Sequence, residues 1–334
     1  MIHAPRRPRK TPGAGRYPRQ QKAKHMQFKP LTPEQSASFE ANGFLVVPDA
    51  LDPDTLQRVT AAVDGVYERG LQEEGLNRAG AYEKRNCITL DDAFLDLLDW
   101  RETVPYVPQI LTWDIQLDTS HIIVRPPSPP GTSAAFKAIG WHRDGGIATF
   151  EVPEPLPRMR LKICYLLSDL SEPGRGNTRF VPGSNLLVGQ PPREEGAIDP
   201  IGTMEITGKP GDAVLFENRT FHAVGPNLST ITRKTIFMGY SYRWLRPLDF
   251  VVQPPELMEK VRDNAVRWQL LGGWQTEMAF SLPKDEDVPL RAWYREHGLD
   301  QKSALDILMD QMRPDDGVRR RQRVASIVGA RMDA

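Results

Sequence analysis

Thr220-Phe221-His222-Ala223-Val224-Gly225, followed after a short polar connection by Thr232-Arg233-Lys234-Thr235-Ile236-Phe237-Met238-Gly239-Tyr240-Ser241-Tyr242, reads as two β-strands. Both runs are rich in β-branched and aromatic residues and are bounded by Gly, Pro, Asn and Ser, the residues that end strands. Working outward, the same texture predicts strands at His121–Arg125, Gly140–Phe150, Met159–Leu167, Thr178–Val181, Thr203–Thr207 and Ala213–Glu217. Connections this short have no room for the crossover helices that parallel strands need, which excludes a doubly wound parallel sheet. Eight short strands in sequence predict a mainly β chain closed as a sandwich or barrel of the jelly-roll type.

Helices flank this region. Thr32, Pro33 and Gln35 form a capping-box start and Gly43 a stop, so a short helix is predicted to feed the strand Phe44–Val47. Asp52 and Pro53 open a second helix, with Leu56, Val59, Val63, Val66 and Tyr67 at helical spacing. After Trp244 the pattern is helical again at Pro255–Leu271, Pro289–His297 and Gln301–Met312, with Trp268, Trp274 and Trp293 expected as core between helices and barrel. The expected organisation is a basic tail over 1–30, a β domain with its N-terminal helices over 31–250, and a helical extension over 251–334 packed on the barrel.

Composition narrows the function classes. The 334 residues are 40% hydrophobic and 26% charged, with 43 basic and 43 acidic side chains, which is ordinary for a globular protein with chain enough to bury a core. Residues 1–25 hold eight Lys and Arg and no acid, and the body they leave is mildly acidic; a segment so basic and Pro-rich is expected to be disordered, read as a solvated extension in preference to a contact for nucleic acid or anionic lipid. No run approaches the roughly 20 apolar residues of a membrane span, and the start does not resemble a secretory signal, so a cytoplasmic location is expected. Two cysteines, Cys87 and Cys164, cannot build a disulfide framework and form no Cys-x-x-Cys pair.

Of six histidines, two have informative neighbours. In Gly140-Trp141-His142-Arg143-Asp144, residues i and i+2 of a strand share a face, so His142 and Asp144 can offer an imidazole nitrogen and a carboxylate oxygen to one ion. His222, on a late strand, can supply a second imidazole. Two His and one carboxylate leave coordination positions open, as in non-haem Fe(II) oxygenases; the alternative is an ordinary surface pair, since His-x-Asp is common. Arg233, eleven positions past His222, suits the far carboxylate of a dicarboxylate cosubstrate because guanidinium pairs with carboxylate bidentately. Arg158, Arg160 and Lys162 alternate on one strand and read as a solvated outer face, or as an attractor for an anionic substrate.

The strings Ile123–Asp144, with Val-Arg-Pro-Pro and Trp-His-x-Asp, Gly176-Asn177-Thr178-Arg179-Phe180-Val181-Pro182-Gly183-Ser184, and His222 with Gly225, Asn227, Ser229 and Arg233 together resemble the phytanoyl-CoA dioxygenase family of Fe(II)/2-oxoglutarate-dependent oxygenases. Asn42-Gly43-Phe44-Leu45-Val46-Val47 is similar to the family's N-terminal signature, and the resemblance spans about residues 32–244. It implies a double-stranded β-helix, cupin-like in fold, with Fe(II) held by His142, Asp144 and His222. It further implies 2-oxoglutarate anchored by Arg233, O2 as co-reactant, a small-molecule substrate, and Tyr165 and His121 beside the cosubstrate. Three positions depart from the pattern: Arg125 where many members have Lys, Asn185 after Pro-Gly-Ser, and Val224 where some members place Ser to help hold the cosubstrate. The expected activity is hydroxylation of an unactivated carbon with release of succinate and CO2. A cupin-like metal enzyme without the keto acid and a catalytically inactive ligand-binding barrel are the alternatives.

Overall fold

The computed structural model describes residues 27–133, 139–145 and 152–299. The predicted cap is present in full: Thr32 Oγ1 accepts from Gln35 N at 3.2 Å, Gln35 Oε1 accepts from Thr32 N at 3.0 Å, and α1 (Pro33–Asn42) ends at Gly43 with φ +79°. The left-handed turn directs the chain straight into β1 (Phe44–Val47). Asp52 caps α2 (Pro53–Glu73), whose Val59, Val63 and Val66 are buried at helical spacing.

The strands that follow are β2 (Tyr82–Arg85), β3 (Ile115–Arg125), β4 (Ile139–His142), β5 (Arg160–Leu166), β6 (Thr178–Phe180), β7 (Met204–Glu205), β8 (Ala213–Glu217), β9 (His222–Val224) and β10 (Arg233–Tyr242), with short helices α3 (Asp92–Leu95) and α4 (Tyr106–Ile110) between β2 and β3. They form a six-stranded sheet in the order β1-β8-β5-β10-β3-β2 and a four-stranded sheet in the order β4-β9-β6-β7, with every pairing antiparallel. Two antiparallel sheets facing each other are the jelly-roll form of the double-stranded β-helix. β2 escaped the sequence reading because Tyr-Glu-Lys-Arg has one apolar residue, and β3 starts earlier than predicted, its polar residues Gln116 and Asp118 being buried in the fold.

Strand alternation divides the core in two. Leu161, Ile163 and Tyr165 of β5 and Ile236, Met238 and Tyr240 of β10 pack with α2, α3 and α4 on the outer face of the large sheet. Cys164 and Leu166, Phe237, Ile123, Val214, Phe216 and Phe180 pack between the sheets. The long β10–β3 pairing shifts register between Gly239 and Tyr240. This bulge admits Asp118 as an extra residue, so odd-numbered residues face the helices at one end of β3 and even-numbered ones at the other.

Beyond Trp244, the predicted helix Pro255–Leu271 is two helices, α5 (Pro255–Lys260) and α6 (Ala265–Leu270), the second started by Asn264, whose side chain accepts from Arg267 N. With α7 (Leu290–Glu296) they add Leu257, Val266, Leu270 and Trp293 to the outer core. Trp268 packs against that core and Trp293 is buried, but Trp274 is 48% exposed, contrary to expectation. The predicted helix Gln301–Met312, the basic segment 1–25, and the predicted strand beyond residue 145 lie outside the described residues. Among the described residues no helix is long and apolar enough to cross a membrane.

Candidate metal centre

The small sheet brings two imidazoles together. β4 and β9 pair with His142 directly opposite His222, and their ring centroids stand 4.3 Å apart. The same device orients both rings: His142 Nδ1 bonds Gly140 O and His222 Nδ1 bonds Thr220 O, each at 2.9 Å and each two residues back along the chain. A carbonyl only accepts, so Nδ1–H is the donor in both rings, and in the neutral ring this puts the lone pair on Nε2, the tautomer a metal ligand needs.

Asp144 completes the group by a route other than strand alternation. β4 stops at His142, and Asp144 lies in a turn with its backbone N–H on Asn218 O at 3.0 Å. Its Oδ1 is 3.9 Å from His142 Nε2 and its Oδ2 3.8 Å from His222 Nε2; ligand atoms of the three residues lie within 4.8 Å of one another. Asp144 Oδ2 is buried and has no hydrogen-bond partner among the described residues. A buried carboxylate oxygen without a donor is costly, and this one faces unprotonated imidazole, so the donor set fits a divalent cation. Burial pushes the Asp144 carboxyl up, but the charge of Lys162, with its hydrogen bond, leads the opposing influences that hold the group ionised, well below the usual carboxylate range. Burial also pushes His222 down to about 4 against the pull of Asp144, which keeps it neutral. Arg143, between the two ligand candidates, turns away to Glu154 at 2.8 Å and to the carbonyls of Ser184, Leu187 and Arg219.

Arg233 heads β10 and is fully buried between the sheets. Its Nη2 stands 3.5 Å from Thr178 Oγ1, while Nε and Nη1 have no partner among the described residues. Arg125 of β3 is directly opposite in register, also buried, with Nη1 on Ala79 O at 2.5 Å and Nε and Nη2 unpartnered among the described residues. Gly176 is why two guanidinium stems fit side by side: a Cβ there, at φ +74°, would stand 3.0 Å from Arg233 Cδ and 3.5 Å from Arg125 Cδ. Burial lowers both pKa values, that of Arg125 to about 10 with Arg233 adding repulsion, yet both remain charged near neutrality. Two buried cations with free N–H donors form a site for a carboxylate.

His121 lines the same interior, stacked on Phe237 with centroids 4.5 Å apart and planes 8° from parallel, its Nδ1 3.3 Å from Thr119 Oγ1. Burial and the cations Lys162 and Arg85 push it well below the ordinary imidazole value. Tyr165 departs from expectation. As an odd-numbered residue of β5 it points out of the barrel, and its hydroxyl pairs with Thr103 Oγ1 at 2.7 Å on the helix side. Lys162 is the residue the sequence reading misses: Arg160 and Lys162 are interior, not solvated, with Arg160 bonded to Asp118 at 2.9 Å and Lys162 to Asp144 Oδ1 at 2.8 Å, while Arg158, part-exposed ahead of β5, bonds Glu217 and the exposed Glu40. Alternation had already grouped these three on one face; only the sheet pairing tells inner from outer. Asn177, Asn227 and Ser229 of the sequence motifs hold loops, Asn227 Nδ2 bonding Arg125 O at 3.0 Å and Ile231 O at 2.7 Å, and Asn177 Nδ2 bonding Leu170 O at 2.9 Å.

A family model described as phytanoyl-CoA dioxygenase matches residues 39–235. An ectoine dioxygenase of Bordetella parapertussis is 25% identical over 240 residues, covering 63% of this chain and 75% of that protein. The dioxygenase trt7 of Aspergillus terreus is 27% identical over 267 residues, covering 74% and 85%. Among solved structures, HygX from Streptomyces hygroscopicus with nickel and 2-oxoglutarate bound overlaps at a TM-score of 0.49 and 17% identity, over 63% of this chain and 87% of that one.

Proposed function

Since the chain belongs to the phytanoyl-CoA dioxygenase family, whose Fe(II)/2-oxoglutarate-dependent chemistry it shares, we propose that it hydroxylates an unactivated carbon of a small molecule, with His142, Asp144 and His222 as the iron ligands. Fe(II) together with 2-oxoglutarate and O2 supplies the oxidising power for that step, with succinate and CO2 as coproducts. The observation that carries the assignment is the buried, unpartnered Asp144 Oδ2 facing His222 Nε2.

The chain's own contributions follow from its geometry. Gly140 O and Thr220 O each hold an imidazole through Nδ1 and leave Nε2 turned toward Asp144, the ring edge a metal would use. Arg233, joined by Arg125, receives the far carboxylate of the keto acid, which supplies the acceptors those guanidinium N–H groups lack. This pairing also compensates for Val224, which lacks the hydroxyl some members use there. Phe180, Phe237, Ile123 and Leu166 make the interior between the sheets apolar and help exclude water from it. The unsatisfied Arg233 favours this reading over a cupin-like enzyme without the keto acid, in which that charge would have no task.

Anaerobic addition of Fe(II) and 2-oxoglutarate to the metal-free protein tests the proposal. The expected result is the visible charge-transfer absorption of an Fe(II)–keto acid chelate in the wild type and its loss in His222→Ala. Folded wild-type protein that gives no such band would refute it.

A further inference from the structure

The two oxygens of Asp144 are unequally held. Oδ1 takes the 2.8 Å bond from the Lys162 ammonium, whereas Oδ2 has no hydrogen-bond partner among the described residues. Lys162 arrives from the inner face of β5 and its position is set by packing. Its ammonium lies 6.0 Å from the centre of the Phe216 ring, and its stem runs past Gly239, where a Cβ would stand 3.4 Å from Lys162 Cγ and 2.5 Å from Thr119 Cγ2. Any larger residue at 239 would push into Thr119 and crowd the lysine. The side chain is 13% exposed, so its ammonium works in a largely dry interior, where a charge-assisted bond is strong.

The geometry assigns Lys162 as a positioning residue: it ties down one oxygen of Asp144, so that the carboxylate offers only Oδ2 to iron and leaves free the coordination positions that a chelating keto acid requires. The inference rests on the reading of His142, Asp144 and His222 as a metal centre. A carboxylate free to turn can bind a cation through both oxygens and so consume a position; an ammonium on Oδ1 opposes that. The same charge repels a metal cation and attracts a dianionic keto acid. Lys162 therefore acts unequally on the two ligands: its help to the metal, keeping Asp144 ionised, is offset by its repulsion of the cation, whereas it attracts the keto acid outright.

The test compares Lys162→Met, which keeps the stem and drops the charge, with Lys162→Arg, which keeps charge and donors. Iron affinity is read anaerobically by competition with a chromophoric chelator, and 2-oxoglutarate affinity from the chelate absorption at saturating Fe(II). For Lys162→Met the expected result is iron bound at least as tightly as in the wild type, 2-oxoglutarate weakened by about tenfold or more, and a shifted absorption maximum. Lys162→Arg is expected to recover most of the keto acid affinity. Unchanged 2-oxoglutarate affinity in Lys162→Met overturns the assignment, and so does a parallel loss of both affinities, the signature of a merely disordered site. Should circular dichroism show that Lys162→Met has lost its fold, Lys162→Gln carries the same comparison. A wild type with no chelate absorption fails earlier, at the metal-centre reading itself, so the two failures are distinguishable.

Discussion

Arg233 places a full charge in a buried position where no carboxylate of the described residues pairs with it. Both Nε and Nη1 lack partners among the described residues, and the second buried guanidinium, Arg125, sits opposite. Such an arrangement is destabilising by itself, since an uncompensated buried charge costs several kcal/mol; it is retained where a ligand brings the missing anion. Arg233→Met should therefore separate stability from function. Its melting temperature without ligands is expected to rise above that of the wild type, while the 2-oxoglutarate dissociation constant increases by about a hundredfold, the equivalent of roughly 3 kcal/mol for one lost charge-assisted pairing. Iron affinity should stay within about threefold, as Arg233 touches none of the three ligand residues. Differential scanning fluorimetry and the chelate absorption titration check the two halves, and a melting temperature that falls would contradict the argument.

At the scale of elements, the parity of a strand decides chemistry. β5 sends Lys162, Cys164 and Leu166 inward and Ile163 and Tyr165 outward, so neighbours in sequence serve different layers. Tyr165 binds Thr103 across the outer core and takes no part in the barrel interior. Tyr165→Phe is thus expected to cost about 1–2 kcal/mol of unfolding free energy through the orphaned Thr103 hydroxyl, with the 2-oxoglutarate affinity unchanged. Urea unfolding and the same absorption titration measure both; a weakened keto acid would place Tyr165 back beside the cosubstrate. Cys164 shares the inner face with Lys162, and burial pushes its thiol up to about 12, so it remains a neutral wall residue.

For the whole molecule, enclosing imidazoles between two sheets couples stability to pH. Burial holds His121 well below the ordinary imidazole value and His222 at about 4 in the metal-free protein. Below about pH 6.5, the value of a free imidazole, the unfolded chain takes up protons that the folded chain refuses. Stability is therefore complete above that pH and falls as the solution is acidified, by at most about 1.4 kcal/mol per pH unit for each buried imidazole. Urea unfolding of the metal-free protein at pH 7.5 and 5.5 should show the loss, and His121→Gln should show less of it. An identical pH dependence in His121→Gln would mean that the ring is not held neutral by the fold.

Local chemistry in the sequence determined the elements and the residue types of the site. The Thr32 capping box, the helical spacing of Val59, Val63 and Val66, and the β-rich runs from His121 to Tyr242 declare themselves without neighbours, because caps and periodicity act over a few residues. His142, Asp144, His222 and Arg233 were legible through spacing and motif. Tertiary structure alone decided which face of each strand looks inward, because parity is fixed by pairing partners far away in the chain. That is why Lys162 and Arg125 joined the interior and Tyr165 left it, and why Asp144 reaches its neighbours from a turn held by Asn218 O and not from the strand that spacing had suggested. The number of charges shut inside the barrel is likewise a property of the closed sheets, since only closure removes the water that would otherwise satisfy them.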